Sequence, residues 1–290
     1  MLAQRIITAL ILASLIALAV FKLSSEYFSL FLGLITLAAA WEWGNLVGVS
    51  ALWKRSVFLL LLILPMLGIH FWTQILELVA SIFDWTDVRS YSGALEWLVI
   101  APILFWILVM LIIRKTPTGV LQMTVKPVFK MLIGWFVLLA AWMFLSRLKA
   151  FYGAEMIMYF LVLIWAADIS AYFVGKKFGT TKLAPEISPG KTVAGMYGAL
   201  LAGGLCAATL SLIYGFNFLI ASDFILLSVL TVLISIYGDL FFSVVKRQRG
   251  VKDSGSLLPG HGGILDRIDS IVAAAPFFYA GILLIYKAVE

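Results

Sequence analysis

Long runs of apolar side chains, separated by short polar segments, recur along the whole chain. A helix needs about 20 residues to cross the roughly 30 Å hydrocarbon core of a membrane, and nine runs approach that length. The pattern therefore predicts an all-α, polytopic integral membrane helical bundle. We place the nine predicted transmembrane spans near residues 6–21, 27–47, 57–73, 95–113, 129–146, 155–175, 193–215, 221–243 and 268–286.

Composition supports a membrane rather than water as the solvent of most side chains. Of the 290 residues, 63% are hydrophobic and 12% are charged, against roughly a quarter charged in an ordinary soluble domain. The single cysteine, Cys206, excludes a disulfide framework within one chain and any Cys-rich zinc site.

The distribution of basic residues predicts the orientation of the bundle. An odd number of spans places the two termini on opposite sides of the membrane. Sixteen of the 21 Lys and Arg residues then lie on the side of the N-terminus and five on the other. The positive-inside rule therefore predicts a cytoplasmic N-terminus and an external C-terminus. The first run could alternatively be a cleaved signal peptide, because Arg5 precedes it and Ala17-Leu18-Ala19 resembles a cleavage site.

The chain changes character near residue 150. Residues 1–150 contain the first five spans, which are rich in aromatic residues and predict a scaffold and dimerisation region. Residues 151–290 contain spans six to nine, with cytoplasmic loops over 176–192 and 244–267, and carry carboxylates and glycines within or beside the spans. This second half is the predicted catalytic region.

Two polar features of the first half have structural interpretations. Apolar residues at helical spacing between spans three and four predict an amphipathic helix at the outer interface, with a packing role. Trp41-Glu42-Trp43, near the end of span two, resembles an interfacial aromatic belt from which Glu42 reaches the headgroups. The residues of the predicted helix are Ile75, Leu76, Leu78, Val79, Ile82 and Phe83.

Two acidic residues lie where they are energetically expensive: Asp168 in span six and Asp239 near the cytoplasmic end of span eight. A carboxylate at a helix centre costs roughly 2.5 to 3.5 kcal/mol on insertion scales. Such residues usually mark a pathway or a site. The alternative for each is an ion pair with a neighbouring helix, or a side chain that reaches the interface.

The loop between spans six and seven contains residue types that bind phosphate. Glycines let backbone amides approach an anion, and lysines supply positive charge close to the start of a helix. Gly190-Lys191-Thr192 resembles the end of a P-loop, but the glycine required five positions earlier is Pro185, so we exclude that motif. An ordinary basic loop with a helix cap remains the alternative. The predicted phosphate ligands here are Lys176, Lys182, Ser188, Lys191 and Thr192.

The last polar segment, from Ser243 to Asp269, has the richest chemistry. Asp266 and Asp269 are three positions apart and share a helical face, and carboxylates are typical ligands of Mg²⁺. Carboxylates surrounded by Lys and Arg are typical of active sites for phosphoryl or nucleotidyl transfer, because the negative charge that develops on phosphate must be neutralised. His261 could be a general base, a phosphate donor or a turn residue. The remaining candidates are Lys246, Arg247, Lys252, Asp253, Gly262, Gly263 and Arg267.

At these residues the sequence resembles the phosphatidate cytidylyltransferases, or CDP-diacylglycerol synthases, of the bacterial type. The family signature is a Ser, then Lys-Arg, Lys-Asp, a Pro or Gly, His-Gly-Gly and Asp-Arg-x-Asp. Residues 243–269 contain all of these elements in that order. Further similarity extends over Trp41-Glu42-Trp43-Gly44, Asp168 with its neighbours, residues 182–192 and Gly238-Asp239-Leu240.

The resemblance implies an enzyme of the bacterial inner membrane with its active site on the cytoplasmic side. It would convert CTP and phosphatidic acid to CDP-diacylglycerol and pyrophosphate with the help of Mg²⁺, and a second cation is left open. The implied metal ligands are Asp239 and Asp266. Membrane lipid surrounds the chain, no nucleic acid is involved, and the resemblance implies a homodimer. The implied catalytic residues are Asp239, Asp266, Lys246, Arg247 and His261, and the implied substrate ligands are Asp168, Lys176, Lys182, Ser188, Lys191, Thr192, Ser243, Lys252, Asp253, Gly262, Gly263, Arg267 and Asp269.

Two positions depart from the family pattern. Phe242 stands where many members carry Glu, and Ala194 stands where many carry an acid or amide. Two rival functions remain: a transporter that uses Asp168 and Asp239 as an ion pathway, and an inactive relative that serves as an assembly partner. The transporter reading leaves the His-Gly-Gly and Asp-Arg-x-Asp elements unexplained.

Overall fold

The computed structural model describes residues 2–257 and 262–289. The described chain is almost entirely helical, and a 3₁₀ segment, Thr86–Val99, precedes α5. The helices are α1 (Leu2–Lys22), α2 (Ser25–Leu46), α3 (Leu52–His70), α4 (Trp72–Phe83), α5 (Ile100–Lys115), α6 (Pro117–Gln122), α7 (Pro127–Phe178), α8 (Val193–Tyr214), α9 (Phe218–Gln248) and α10 (Leu265–Val289).

Helix α7 is a helical hairpin rather than one rod. Its 52 residues would extend about 78 Å as a straight helix, but Gly153 has φ 83° and ψ 178°, a conformation open to glycine. On a straight helix, Phe144 and Phe160 would lie about 24 Å apart. Each packs with a ring-centroid distance of 5.1 Å on one of two adjacent residues of α10, Tyr279 and Phe278 respectively. The two halves, 127–152 (α7a) and 154–178 (α7b), therefore fold back on each other.

Helix length and hydropathy confirm a polytopic, all-α membrane protein. Seven helices within the described residues are long and apolar enough to cross a membrane, and the whole of α7 is one of these seven. Because α7 folds into two halves, it accounts for the predicted spans at 129–146 and 155–175. The predicted first span corresponds to α1, of which residues 11–22 are among the shorter apolar helices.

The predicted amphipathic helix forms as α4. Leu76 and Ala80 are buried on its inner face and pack with Val88, whereas Leu78, Ile82 and Phe83 are exposed. Such a helix buries one apolar stripe in the protein and leaves another for the lipid interface. Its structure therefore agrees with the predicted packing role.

The loop between α7b and α8 contains a short antiparallel sheet, which the sequence analysis did not predict. Strand β1 (Lys182–Ala184) pairs with β2 (Ser188–Thr192), with Lys182 opposite Thr192 and Ala184 opposite Ser188. Backbone hydrogen bonds between the strands thus hold the glycine and lysine segment in one conformation. The hairpin fixes where Lys191 points.

The interpretation of Trp41-Glu42-Trp43 as an interfacial belt is wrong for its last two residues. Trp43 and Glu42 are each 1% exposed. The Trp43 indole donates from Nε1 to the Lys130 carbonyl at 3.0 Å, and its ring fills the space left by Gly134, where a Cβ would overlap the indole. Trp43 therefore joins α2 to α7a inside the bundle.

Candidate active site

Helices α9 and α10 approach each other closely beside the predicted catalytic acids. A Cβ on Gly238 would overlap the Ala273 Cβ and would lie 3.2 Å from the Asp269 carbonyl. Only glycine allows this contact without displacing a helix. The close approach brings Asp239, the next residue on α9, to the level of Asp269 on α10.

Asp239 is paired with Lys191 of β2. The Lys191 ammonium lies 2.6 Å from Asp239 Oδ2 and also donates to the Ile236 carbonyl at 3.1 Å. The Ser243 hydroxyl, one turn along α9, lies 3.3 Å from Asp239 Oδ1. Lysine thus compensates a carboxylate that stands within an apolar helix.

Asp168 on α7b faces the same pair. Its side chain is exposed although it lies within a helix long and apolar enough to span a membrane. Its charge interacts with those of Lys191 and Asp239. Both predicted intramembrane acids and one predicted phosphate lysine therefore form one electrostatic group, contributed by three elements.

A second ion pair lies nearer to the start of α10. The Lys246 ammonium is 2.7 Å from Asp266 Oδ1 and 3.9 Å from Asp269 Oδ2. Asp269 is buried and accepts from the Ser270 amide at 2.9 Å. Since the charges of Asp239 and Asp269 also interact with each other and with both lysines, the two ion pairs form one continuous site.

The other oxygen of Asp266 is held by the preceding loop. Asp266 Oδ2 accepts from the Ser254 amide at 2.8 Å, from the Ser254 hydroxyl at 3.0 Å and from the Gly263 amide at 3.2 Å. Gly262 has φ 85°, in the region that glycine adopts most easily. Gly262 and Gly263, predicted as substrate ligands, thus also build the turn that aims Asp266.

Ser254 was not predicted as a site residue, because a lone serine does not stand out among the charged residues around it. Thr192 was predicted as a phosphate ligand, with a helix cap in this loop as the alternative. The Thr192 hydroxyl accepts from the Gly195 amide at 3.0 Å and so caps α8. Cβ atoms on Gly175 or Gly179 would approach the Thr192 side chain to within 2.8 Å, so these glycines seat the end of α7b against the hairpin.

Arg247 joins the two loops at this end of the bundle. Its Nε donates to the Ile187 carbonyl in the hairpin at 3.3 Å, and its Nη1 donates to the Val251 carbonyl at 3.2 Å. Contact with a substrate stays a prediction for Arg247 and for Ser188, which lies at the start of β2. His261 lies outside the described residues.

Five predicted substrate ligands are charged and exposed. Substrate binding stays a prediction for all of them. The exposed residues are Lys176, Lys182, Lys252, Asp253 and Arg267.

The Phe242 side chain lies in a buried aromatic cluster. It is 1% exposed and packs with Trp43, Trp106 and Phe241 at ring-centroid distances of 5.8, 6.5 and 5.3 Å. Asp239, three positions earlier on α9, lies on an adjacent part of the helix surface, next to Lys191. Position 242, where many family members carry Glu, is therefore occupied by a packing residue in this chain.

The donor set suits a magnesium ion. Within the described residues, no group of three or more His, Cys, Asp or Glu side chains is spaced to hold a metal. Mg²⁺, however, commonly takes only one or two protein carboxylates and completes its shell with water and substrate phosphates. Asp239 and Asp266 each already present one oxygen to a cationic ammonium group. Magnesium binding by these two residues stays a prediction.

Comparison with known proteins decides the family. The sequence model of the Cytidylyltransferase family matches residues 3–285. The chain belongs to the cytidylyltransferase family. The assignment made from residues 243–269 is therefore confirmed, and the chain is an enzyme of this family.

Two similar cytidylyltransferases cover nearly the whole chain. The phosphatidate cytidylyltransferase of Haemophilus influenzae is 33% identical over 290 residues, which span 96% of this chain and 97% of the relative. That of Pseudomonas aeruginosa is 37% identical over 282 residues, which span 97% and 96%. The Bacillus subtilis protein of the same name is 46% identical over 131 residues, or 44% of this chain and 47% of the relative.

The aromatic environment of Phe242 leads to a stability prediction for this cytidylyltransferase. Phe242→Glu replaces a ring packed against Trp43, Trp106 and Phe241 by a carboxylate, with a cost of several kcal/mol because the charge loses its hydration and the ring contacts are lost. We expect loss of the folded protein on size-exclusion chromatography in detergent. Phe242→Leu, the matched control, should remain folded with a cost of about 1 kcal/mol. A stable Glu variant with increased activity would contradict the structural placement of this residue.

Proposed function

We propose that this cytidylyltransferase transfers the cytidylyl group of CTP to phosphatidic acid, giving CDP-diacylglycerol and pyrophosphate in phospholipid biosynthesis. The observation that carries the proposal is the pairing of Asp239 with Lys191 and of Asp266 with Lys246 at one end of the bundle. The names of relatives that match nearly the full length support the choice of substrates.

The proposed reaction is an in-line displacement. A phosphate oxygen of phosphatidic acid attacks the α-phosphorus of CTP, the bond from the α-phosphorus to the bridging oxygen of the β-phosphate breaks, and pyrophosphate leaves with that oxygen. Little general-base help is required, because a phosphate monoester is largely ionised at neutral pH. A phosphate bound beside Lys191 and Lys246 would compete with Asp239 and Asp266 for the two ammonium groups. The lysines thereby orient the substrate and neutralise the charge that develops on it.

Magnesium would support this chemistry at Asp239 and Asp266. When bound, the ion would neutralise phosphate oxygens and hold the reacting groups in line. The carboxylates of the chain would hold the ion, while Ser254 and Gly263 keep Asp266 in place.

We further propose nine transmembrane spans, with the N-terminus and the site on the cytoplasmic side of the inner membrane. The biased distribution of Lys and Arg supports this orientation, as does a reaction between a soluble anion and an anionic lipid at the headgroup level. A homodimer is implied by the family resemblance and stays a prediction.

The orientation can be tested with reporter fusions at the C-terminus. Because the C-terminus is predicted to be external, an alkaline phosphatase fusion after Glu290 should be active in bacteria, and a green fluorescent protein fusion should be dark. The same two reporters fused after Gln122, in the loop predicted to be cytoplasmic, provide the control and should give the opposite result. Identical results at both positions would contradict the orientation.

The activity can be tested with purified protein in detergent micelles that contain phosphatidic acid, CTP and Mg²⁺. We expect release of pyrophosphate that depends on the lipid. Asp239→Asn and Asp266→Asn should each reduce the rate by at least about 100-fold, since each leaves a lysine unpaired and removes a proposed ligand. The control is Asp223→Asn, an exposed residue on the same helix α9, which should retain full activity.

Two outcomes would contradict the proposed activity, and a third would contradict only the metal assignment. A transporter would release no pyrophosphate under any condition. An inactive assembly partner would show no measurable rate in the wild type and no change with Asp266→Asn. Full activity of either Asn variant would refute the corresponding metal assignment.

A further inference from the structure

Glu42 is a buried carboxylate that the proposed reaction does not yet use. It lies near the end of α2, and within the described residues it has no Lys or Arg partner within ion-pair distance. A buried charge without a counter-ion costs several kcal/mol unless hydrogen bonds compensate it. Its compensation comes from a segment more than 200 residues away in sequence.

Three donors from the segment that precedes and begins α10 converge on this carboxylate. The Ile264 amide donates to Glu42 Oε1 at 3.0 Å, and the Leu265 amide donates to Oε2 at 2.9 Å. These are free amides at the start of a helix, which favours a negative charge. The Ser254 hydroxyl lies 2.9 Å from Oε2. Glu42, which lies on α2, thus caps the N-terminus of α10.

Two glycines of the loop make room for the carboxylate. A Cβ on Gly255 would lie 2.5 Å from Glu42 Oε1, and a Cβ on Gly263 would overlap Oε2. The loop backbone therefore touches Glu42 both before and after residues 258–261. Any side chain at position 263 would therefore collide with the Glu42 carboxylate.

Ser254 connects Glu42 to Asp266. Its hydroxyl oxygen lies 2.9 Å from Glu42 Oε2 and 3.0 Å from Asp266 Oδ2, so the two carboxylates share one hydroxyl. The Ser254 amide also donates to Asp266, and Leu265, whose amide binds Glu42, directly precedes Asp266. Glu42 Oε1 thereby holds the Ile264 amide, and Oε2 holds the Leu265 amide and the Ser254 hydroxyl. All three groups lie next to Asp266.

We propose that Glu42 is a positioning residue for Asp266, acting through Ser254 and the first amides of α10. The proposal rests on the proposed function, because it concerns how Asp266 meets Mg²⁺ and CTP. Glu42 does not touch substrate. It holds the carboxylate of Asp266 in the orientation in which Lys246 and, on binding, a metal ion can meet it.

The test measures binding as well as rate. Glu42→Gln keeps the size and shape of the side chain, but it replaces one carboxylate oxygen by an NH₂ group. Because NH₂ cannot accept a hydrogen bond, either the Ile264 or the Leu265 amide loses its acceptor. We expect the affinity for CTP with Mg²⁺, measured by titration calorimetry, to fall about 10- to 100-fold, the range for partners that orient metal ligands. Glu42→Asp should recover part of this loss. Glu26→Gln, an exposed residue on the same helix α2, should bind as the wild type does.

A double-mutant cycle separates positioning from general support of the fold. If Glu42 acts through Asp266, Glu42→Gln should cost less than about twofold in affinity when Asp266→Asn is already present, because coupled residues are not additive. An equal loss in both backgrounds, or no loss in the wild-type background, would overturn the proposal. If Glu42→Gln does not fold, Ser254→Ala removes the shared hydroxyl and should show the same dependence on Asp266.

Failure of this proposal is distinguishable from failure of the proposed function. A wild type that makes no CDP-diacylglycerol refutes the function whatever Glu42 does. An active wild type whose Glu42→Gln variant binds CTP and Mg²⁺ unchanged refutes only the positioning role.

Discussion

The site depends on the neutralisation of carboxylates that stand among apolar helices. An acid within a membrane span is unfavourable by several kcal/mol when alone. Removal of one partner from a buried ion pair, such as Lys246–Asp266 with side chains 11% and 9% exposed, typically costs about 3 to 5 kcal/mol. Lys191 and Lys246 meet this requirement for Asp239 and Asp266. Because Lys191 comes from the β-hairpin and Lys246 from α9, the two ion pairs also hold the hairpin, α9 and α10 together.

The same pairing suits phosphate chemistry. A lysine that compensates a carboxylate in the free enzyme can bind a phosphate when the carboxylate binds a cation instead. In the proposed reaction, Mg²⁺ at the carboxylates and phosphate at the lysines would each replace one partner of an existing ion pair. Gly238 makes the arrangement possible, since it lets α9 and α10 approach until Asp239 and Asp269 lie at one level. Glu42 is a further, buried carboxylate, compensated by amides and a hydroxyl rather than by lysine.

Local sequence patterns predicted much of this architecture. Hydropathy located α2, α3, α5, both halves of α7, α8, α9 and α10, because a membrane span is a property of contiguous residues. The motif from Ser243 to Asp269 and the cost of an acid in a span predicted that Asp168, Asp239, Asp266 and Asp269 belong to one site. An ion pair of Asp239 with a neighbouring helix was one alternative predicted from the sequence. The sequence did not identify Lys191, in the hairpin, as the partner.

The features that were missed depend on contacts between distant segments. The β-hairpin is too short and polar to show an alternating pattern, and Ser254 differs from other serines only through its neighbours in space. Glu42 was assigned to the headgroups because its tryptophan neighbours resemble a belt, whereas its partners lie more than 200 residues further along the chain. The packing role of Phe242 depends on Trp43 and Trp106, which come from other helices and could not be matched to it from the sequence.

The most direct test of the account follows the phosphorus atoms of CTP. Purified protein is incubated with phosphatidic acid and Mg²⁺, and with CTP labelled at either the α- or the γ-phosphorus. Nucleotidyl transfer predicts that the α-label enters the lipid extract in an amount equal to the pyrophosphate released, while all γ-label leaves as pyrophosphate. Recovery of γ-label in the lipid, or of neither label in the lipid, would contradict the central claim.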